Sequence, residues 1–173
     1  MKVAITGHTS GIGRALSTVF QDNVGFSKKN GYDLHNRIIR EKMYNEIADC
    51  DVFINNADLG WNQSVLLYEL WEKWKDKDKL IINIGSDAAD YNQTVARPYN
   101  IQKRSLQDAC LQLQQASQPC KVVLVKPGYV DTPRVQHITA TKMDPKELAL
   151  YIRELVELRY FTFWIPVVTL YPR

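Results

Sequence analysis

Tyr99 and Lys103 stand four residues apart, a spacing that sets a phenol and an ammonium on one face of a helix. A phenol can give or take a proton at a carbonyl or alcohol oxygen, but its ordinary pKa of about 10 slows exchange near neutrality. An ammonium one turn away favours the phenolate and lowers that pKa. Taken alone, such a pair reads as surface decoration rather than catalysis. Ser86 closes the apolar run 80–85, where a hydroxyl could donate to an oxygen that gains charge, or simply cap a turn. Thr6-Gly7-His8-Thr9-Ser10-Gly11-Ile12-Gly13 follows the first apolar run. Its glycines let the backbone turn tightly against a pyrophosphate, and a helix beginning there aims free N–H groups at that phosphate. The spacing is not the common G-x-G-x-x-G, and an ordinary strand-to-helix turn reads the same way. Asn55-Asn56-Ala57 ends a third apolar run, where asparagine also suits a plain turn.

These residues need a frame that gathers them. Short apolar runs at 2–6, 24–27, 51–55, 80–85 and 121–126 predict strands, and a sixth lies within 161–170, where Pro166 indicates an edge or a bulge. Between them, periodicity predicts helices at 11–20, with Ile12, Leu16, Val19 and Phe20 on one face, and at 36–48, with Ile38, Ile39, Met43 and Ile47. Further helices are expected at 62–75, 98–117 and 144–158, the last with Asp144 as N-cap and Pro145 at its first position. The strands are continuous apolar runs, so both faces of the sheet should be covered. Alternating strand and helix argue a three-layer α/β fold over residues 1–173 as one domain, a parallel sheet with helices on both faces. The expected strand order is 3-2-1-4-5, with the last strand beyond the fifth. Such sheets bind ligands at the carboxyl ends of their strands, where the residues above fall.

Composition narrows the classes. Of 173 residues, 45% are hydrophobic and 24% charged, an ordinary globular balance. Lysine and arginine total 22 against 19 acidic residues, and a net charge of +3 is too mild for a nucleic-acid footprint. No apolar run approaches a membrane span or a secretion signal. Cys50, Cys110 and Cys120 are odd in number and lack metal-ligand spacing, which suits reduced thiols in a cytoplasmic protein and gives no metal site.

In order along the chain, T-G-x-x-x-G-I-G at 6–13, N-N-A at 55–57, the serine at 86, Y-x-x-x-K at 99–103 and P-G-x-V-x-T at 127–132 resemble the short-chain dehydrogenase/reductase family in its short, non-extended form. The likeness runs from Lys2 to about Thr132 and weakly onward. It implies a Rossmann fold and an oxidoreductase that moves a hydride between a nicotinamide and a small carbonyl or alcohol substrate. By this resemblance Gly7, Gly11 and Gly13, with Thr9, Ser10 and Ile12 between them, form the cofactor loop. Asn55, Asn56 and Ala57 line the adenosine side and brace the sheet, and Asp33-Leu34 matches the pair that touches the adenine. Ser86, Tyr99 and Lys103 take the catalytic positions, the lysine also reaching the nicotinamide ribose. Pro127, Gly128, Val130 and Thr132 match the segment that holds the nicotinamide. Asp58 departs from the glycine that closes the family's N-N-A-G. The family adds an asparagine on a water-linked proton path to the lysine. In this shortened stretch Asn62 is the candidate for it, or else the N-cap of its helix.

NAD users place a carboxylate at the end of strand two, and NADP users a basic residue. Here Ser27 and Lys28 follow the strand, with Arg14 nearby, so NADP(H) is preferred over NAD(H), although a solvated lysine turn is the plainer reading. Only residues 133–143 separate Thr132 from the last helix cap, so the lid is short and the cleft open, or closed by a partner subunit. Trp61, Tyr91, Tyr129 and His137 are candidates to line it. The helix at 62–75 carries Leu66, Leu67, Leu70, Trp71 and Trp74, more apolar surface than one sheet contact needs, which predicts a homodimer or homotetramer. A noncatalytic nicotinamide-binding sensor on the same scaffold is the alternative function.

Overall fold

The computed structural model describes residues 1–91 and 98–173. Six strands form one parallel sheet: β1 (Val3–Thr6), β2 (Asn23–Phe26), β3 (Val52–Asn55), β4 (Leu80–Ile84), β5 (Lys121–Pro127) and β6 (Val167–Leu170). Five α-helices alternate with them: α1 (Gly11–Val19), α2 (Arg37–Glu46), α3 (Asn62–Trp74), α4 (Tyr99–Gln114) and α5 (Pro145–Glu157). Met43 and Tyr44 of α2, with Ile47 just after it, share one core with α3 and α4, while Leu16 of α1 packs with α5 in a second core. The sheet is therefore covered on both faces, as its uninterrupted apolar strands require. No helix among the described residues is long and apolar enough to cross a membrane.

The strand order is β2-β1-β3-β4-β5-β6, which corrects the expected 3-2-1-4-5. β3 does not lie outside β2 but between β1 and β4, pairing Val52 with both Val3 and Leu80. Burial explains the placement. All four β3 residues are buried, whereas three of the four in β2 are only half-buried, so β2 is the edge. The crossover through α1 runs from β1 outward to β2, and the next returns past β1 to β3. Opposite directions put α1 and α2 on opposite faces. The carboxyl ends of β1 and β3 thus flank the switch point, where open sheets bind ligands.

Local signals account for most element ends. Asp144 Oδ1 accepts the backbone N–H groups of Lys146 and Glu147 at 2.6 and 3.1 Å, capping α5 as expected. Asn36 likewise caps α2 through Ile38 N at 2.8 Å. β6 begins only after Pro166, whose carbonyl accepts Leu124 N at 2.9 Å while its own nitrogen has no proton to give the ladder. Ile38 leaves the expected apolar face of α2 and is 77% exposed.

Candidate active site

The turn after β1 is built for close backbone approach. Gly7 and Gly11 have φ of 69° and 51°, a left-handed region that favours glycine. A Cβ on Gly13 would lie 2.1 Å from the Gly7 carbonyl oxygen, so α1 can start this near the turn only with glycine there. Ser10 precedes α1 and its side chain makes no cap hydrogen bond, so the first-turn N–H groups remain available to an anion. Thr6 ties this turn to the one after β3. Its hydroxyl oxygen accepts the N–H groups of Asn56 and Ala57, each at 2.9 Å, and Asn56 Nδ2 donates to the Thr6 carbonyl at 2.9 Å. Asn55 is fully buried and donates to Asn83 Oδ1 at 2.9 Å and to the Gln63 carbonyl at 3.0 Å, bracing β3 to β4 and α3.

β4 delivers Ser86 to its carboxyl end, where the hydroxyl accepts Ala88 N at 3.1 Å and donates to Asp87 Oδ1 at 3.3 Å. Tyr99 opens α4 beside it. Burial raises the Tyr99 pKa above its ordinary value; Ser86 opposes that rise, and Asp58 and Asp87 add to it. This differs from the lowered value expected of a Tyr/Lys pair. The Lys103 ammonium lies toward the ring, 5.7 Å from its centroid. Lys103 is itself buried, donating to Gln63 Oε1 at 2.8 Å and to the Ile84 carbonyl at 3.3 Å. Desolvation lowers its pKa to about 8, against an opposing pull from Asp58.

Ser86, Tyr99 and Lys103 are therefore brought together, and Asn62 is not among them. Asn62 is the first residue of α3, its Nδ2 paired with His35 Nδ1 at 3.2 Å, and Trp61 occupies the cap position. The direct contact to Lys103 is made by the next residue along the helix. Gln63 is 1% exposed and donates Nε2 to the carbonyls of Asn55 and Ile84, which aims its oxygen at Lys103. Helical spacing within 62–75 could have found it: Gln63 shares the inward face with Leu66, Leu67 and Leu70, a polar residue in an apolar stripe.

At the edge strand, Ser27 donates its hydroxyl to Asn30 Oδ1 at 3.1 Å, and Lys28 pairs with Asp33 at 3.3 Å. Arg14 is exposed on α1. Leu34 is buried, and the Arg40 guanidinium donates to its carbonyl at 3.1 Å while gripping both carboxylate oxygens of Glu69 at 2.7 and 3.0 Å. The bidentate pair fixes the loop that presents Asp33. Across the cleft, Thr132 sits against Gly11, where an added Cβ would meet its methyl at 3.2 Å. Val130 and Pro127 are buried at the end of β5, and Gly128 N donates to the Leu170 carbonyl at 2.9 Å. Trp61, Tyr91 and Tyr129 are all exposed, at 50%, 52% and 45%, and His137 is exposed as well.

Solved structures show the same chain path. A short-chain dehydrogenase/reductase from Vibrio parahaemolyticus superposes with a TM-score of 0.78 at 17% identity, over 99% of each chain. The chain has the fold of the short-chain dehydrogenases/reductases. A short-chain dehydrogenase from Burkholderia cenocepacia J2315 in complex with NADP matches with a TM-score of 0.78 at 16% identity, over 98% of this chain and 87% of that one. The 3-alpha-hydroxysteroid dehydrogenase from Pseudomonas sp. B-0831 complexed with NADH gives 0.76 at 17% identity, over 98% and 95%. No protein-family model and no curated protein matches the sequence.

Proposed function

We propose that residues 1–173 act as one NAD(P)-binding domain of an oxidoreductase that interconverts a small carbonyl compound and its alcohol. The observation that carries this reading is the meeting of Ser86, Tyr99 and buried Lys103 beside a glycine turn with an uncapped helix N-terminus. The turn fits a dinucleotide, because a Cβ at Gly13 would fill the space between turn and helix, and the α1 N–H groups lack side-chain caps. Gly7, Thr9, Ser10, Gly11, Ile12 and Gly13 would hold the pyrophosphate. Asp33, Leu34, Asn56 and Ala57 would hold the adenosine. Pro127, Gly128, Val130 and Thr132, with Lys103, would hold the nicotinamide end.

The nicotinamide, when bound, supplies or receives the hydride. The chain manages the proton. A raised pKa keeps the Tyr99 phenol protonated at neutrality, so it can donate to the oxygen of a carbonyl undergoing reduction. The Ser86 hydroxyl hydrogen-bonds that oxygen and steadies its developing charge. Lys103, held by Gln63 and the Ile84 carbonyl, keeps a positive charge under the phenol ring.

The structures of similar fold carry NADP in one case and NADH in another, and Lys28 with Ser27 favours NADP(H) here. The free buried thiols of Cys50, Cys110 and Cys120 suit a reducing cytoplasm. A homo-oligomer forms through α3 and α4, although not by the residues first expected: Leu66, Leu67, Leu70, Trp71 and Trp74 are spent in the chain's own core, and Val65, Tyr68, Ile101 and Leu111 are the exposed ones.

NADPH oxidation measured against a panel of carbonyl compounds tests the assignment. Tyr99→Phe should keep NADPH binding and lose about 10²–10⁴-fold in turnover. Wild-type turnover in that variant would assign the proton to another group. Tight NADPH binding with no turnover on any carbonyl would favour the noncatalytic sensor.

A further inference from the structure

Asp58 stands where the resemblance calls for glycine, and its carboxylate is not idle. Oδ1 lies 3.8 Å from the Lys103 ammonium, and Oδ2 accepts from Arg134 NH1 at 2.5 Å. The Asp58 side chain is 24% exposed and that of Lys103 only 5%, so the first pair is largely shielded from solvent. Arg134 belongs to the short 3-10 turn Pro133–Val135 that follows β5, and Asp58 to the loop that follows β3. β4 lies between those strands and carries Ser86 at its end. The Asp58–Arg134 pair therefore spans the end of β4, and both residues act electrostatically on Tyr99.

We propose that Asp58 is a positioning residue that divides one carboxylate between Lys103 and Arg134, thereby setting the charge of Lys103 and tying the β3 and β5 loops together across the catalytic end of β4.

The division follows from which groups face Lys103. Gln63 and the Ile84 carbonyl accept its protons but are neutral, and the Tyr99 ring lies beside it. Among the described residues Asp58 is the anion on it, and Arg134 is the cation that opposes its charge. Burial alone disfavours an ammonium, and a carboxylate within about 4–6 Å offsets that cost. Arg134 draws on the same carboxylate. Whatever draws the guanidinium off Asp58 leaves the carboxylate wholly to Lys103 and strengthens the ammonium.

The inference deepens the reading of Lys103 as the partner of Tyr99 and rests on that reading for its catalytic meaning. Its test does not need turnover. The Lys103 side-chain titration is followed by NMR of the cofactor-free protein with labelled lysine, in wild type, Asp58→Asn and Arg134→Gln. In wild type the ammonium should titrate near 8. Asp58→Asn should lower that midpoint by about one unit or more. Arg134→Gln should raise it, because a repelling cation is removed and Asp58 is released. Opposite shifts from the two variants are not what a merely structural loop contact would give. A Lys103 midpoint unmoved by Asp58→Asn, or unmoved or lowered by Arg134→Gln, overturns the proposal. Arg134 is exposed, so its variant keeps the test open even where Asp58→Asn does not fold. Where a substrate has been found, the alkaline limb of the pH–turnover profile should move with the NMR midpoint in both variants. A protein without turnover but with both NMR shifts would reject the enzyme reading and leave the charge division standing.

Discussion

The Lys103 ammonium donates to Gln63 Oε1 at 2.8 Å, inside a site where both side chains are nearly closed to solvent. A neutral amide satisfies a donor but does not repay the cost of burying a charge, and that burial carries the Lys103 pKa down to about 8. A pH dependence with two opposite signs follows.

Carbonyl reduction should fall as pH rises through about 8, because Lys103 then loses the charge it holds beside Tyr99. Stability should move the other way. A lysine whose folded pKa is depressed leaves the unfolded chain holding more protons above pH 8, so its contribution to stability rises with pH. The window closes near pH 9, where Cys50, Cys110 and Cys120, whose thiol pKa values are raised by burial, begin to favour the unfolded, ionised chain. Turnover and urea midpoint recorded together from pH 7 to about pH 9 distinguish the two effects. Parallel loss of both would mean that unfolding, not Lys103, limits activity.

Thr6→Val keeps the shape of a fully buried side chain and deletes the oxygen that accepts from Asn56 N and Ala57 N. Leaving such donors unpaired costs about 1–3 kcal/mol each where they stay dry. The variant should unfold at lower urea with an unchanged m-value. It should also bind dinucleotide more weakly, since the turn after β3 would no longer be held against the glycine turn. Full cofactor affinity in a destabilised variant would separate the brace from the binding site.

The places of Ser86, Tyr99 and Lys103 were legible because their neighbours in sequence fix them. Ser86 ends an apolar strand, Tyr99 begins a helix, and Lys103 follows one turn on. Strand order was not legible in the same way. The runs at 24–27 and 51–55 are both short and apolar, and only their burial in the folded sheet distinguishes edge β2 from interior β3. Gln63 escaped notice beside Asn62 because a one-residue step on a helix turns a side chain by about 100°. Asp58 was visible as a departure, but its partner Arg134 is 76 residues away, and nothing local links them.

Val65 and Tyr68 on α3, with Ile101 and Leu111 on α4, are 38–49% exposed on neighbouring helices of one face. The expected outcome is a dimer or tetramer at micromolar concentration by sedimentation. Ile101→Glu combined with Val65→Glu places two charges on that face and should yield monomers whose circular dichroism is unchanged. A wild-type monomer at the same concentration would remove the proposed assembly altogether.

Lys28 meets Asp33 at 3.3 Å in a pair whose side chains are 66% and 51% exposed, so the pairing itself is worth little. It matters as competition. A 2′-phosphate on the ribose would have to draw the ammonium from Asp33, whereas the plain hydroxyl of NAD has no such need. Two substitutions then act in opposite directions on one cofactor. Lys28→Ala removes a charged hydrogen bond of about 1.5–3 kcal/mol and should weaken NADPH by about tenfold or more, leaving NADH nearly unchanged. Asp33→Asn frees the lysine and relieves repulsion, so NADPH should bind more tightly while NADH loses any bond that carboxylate makes to its ribose. Equilibrium titration of both nucleotides against the two variants reads the result directly. Equal loss of NADPH and NADH in Lys28→Ala would reduce the lysine to a general electrostatic effect. Weaker NADPH binding in Asp33→Asn would show that the carboxylate supports the cofactor rather than competing for Lys28.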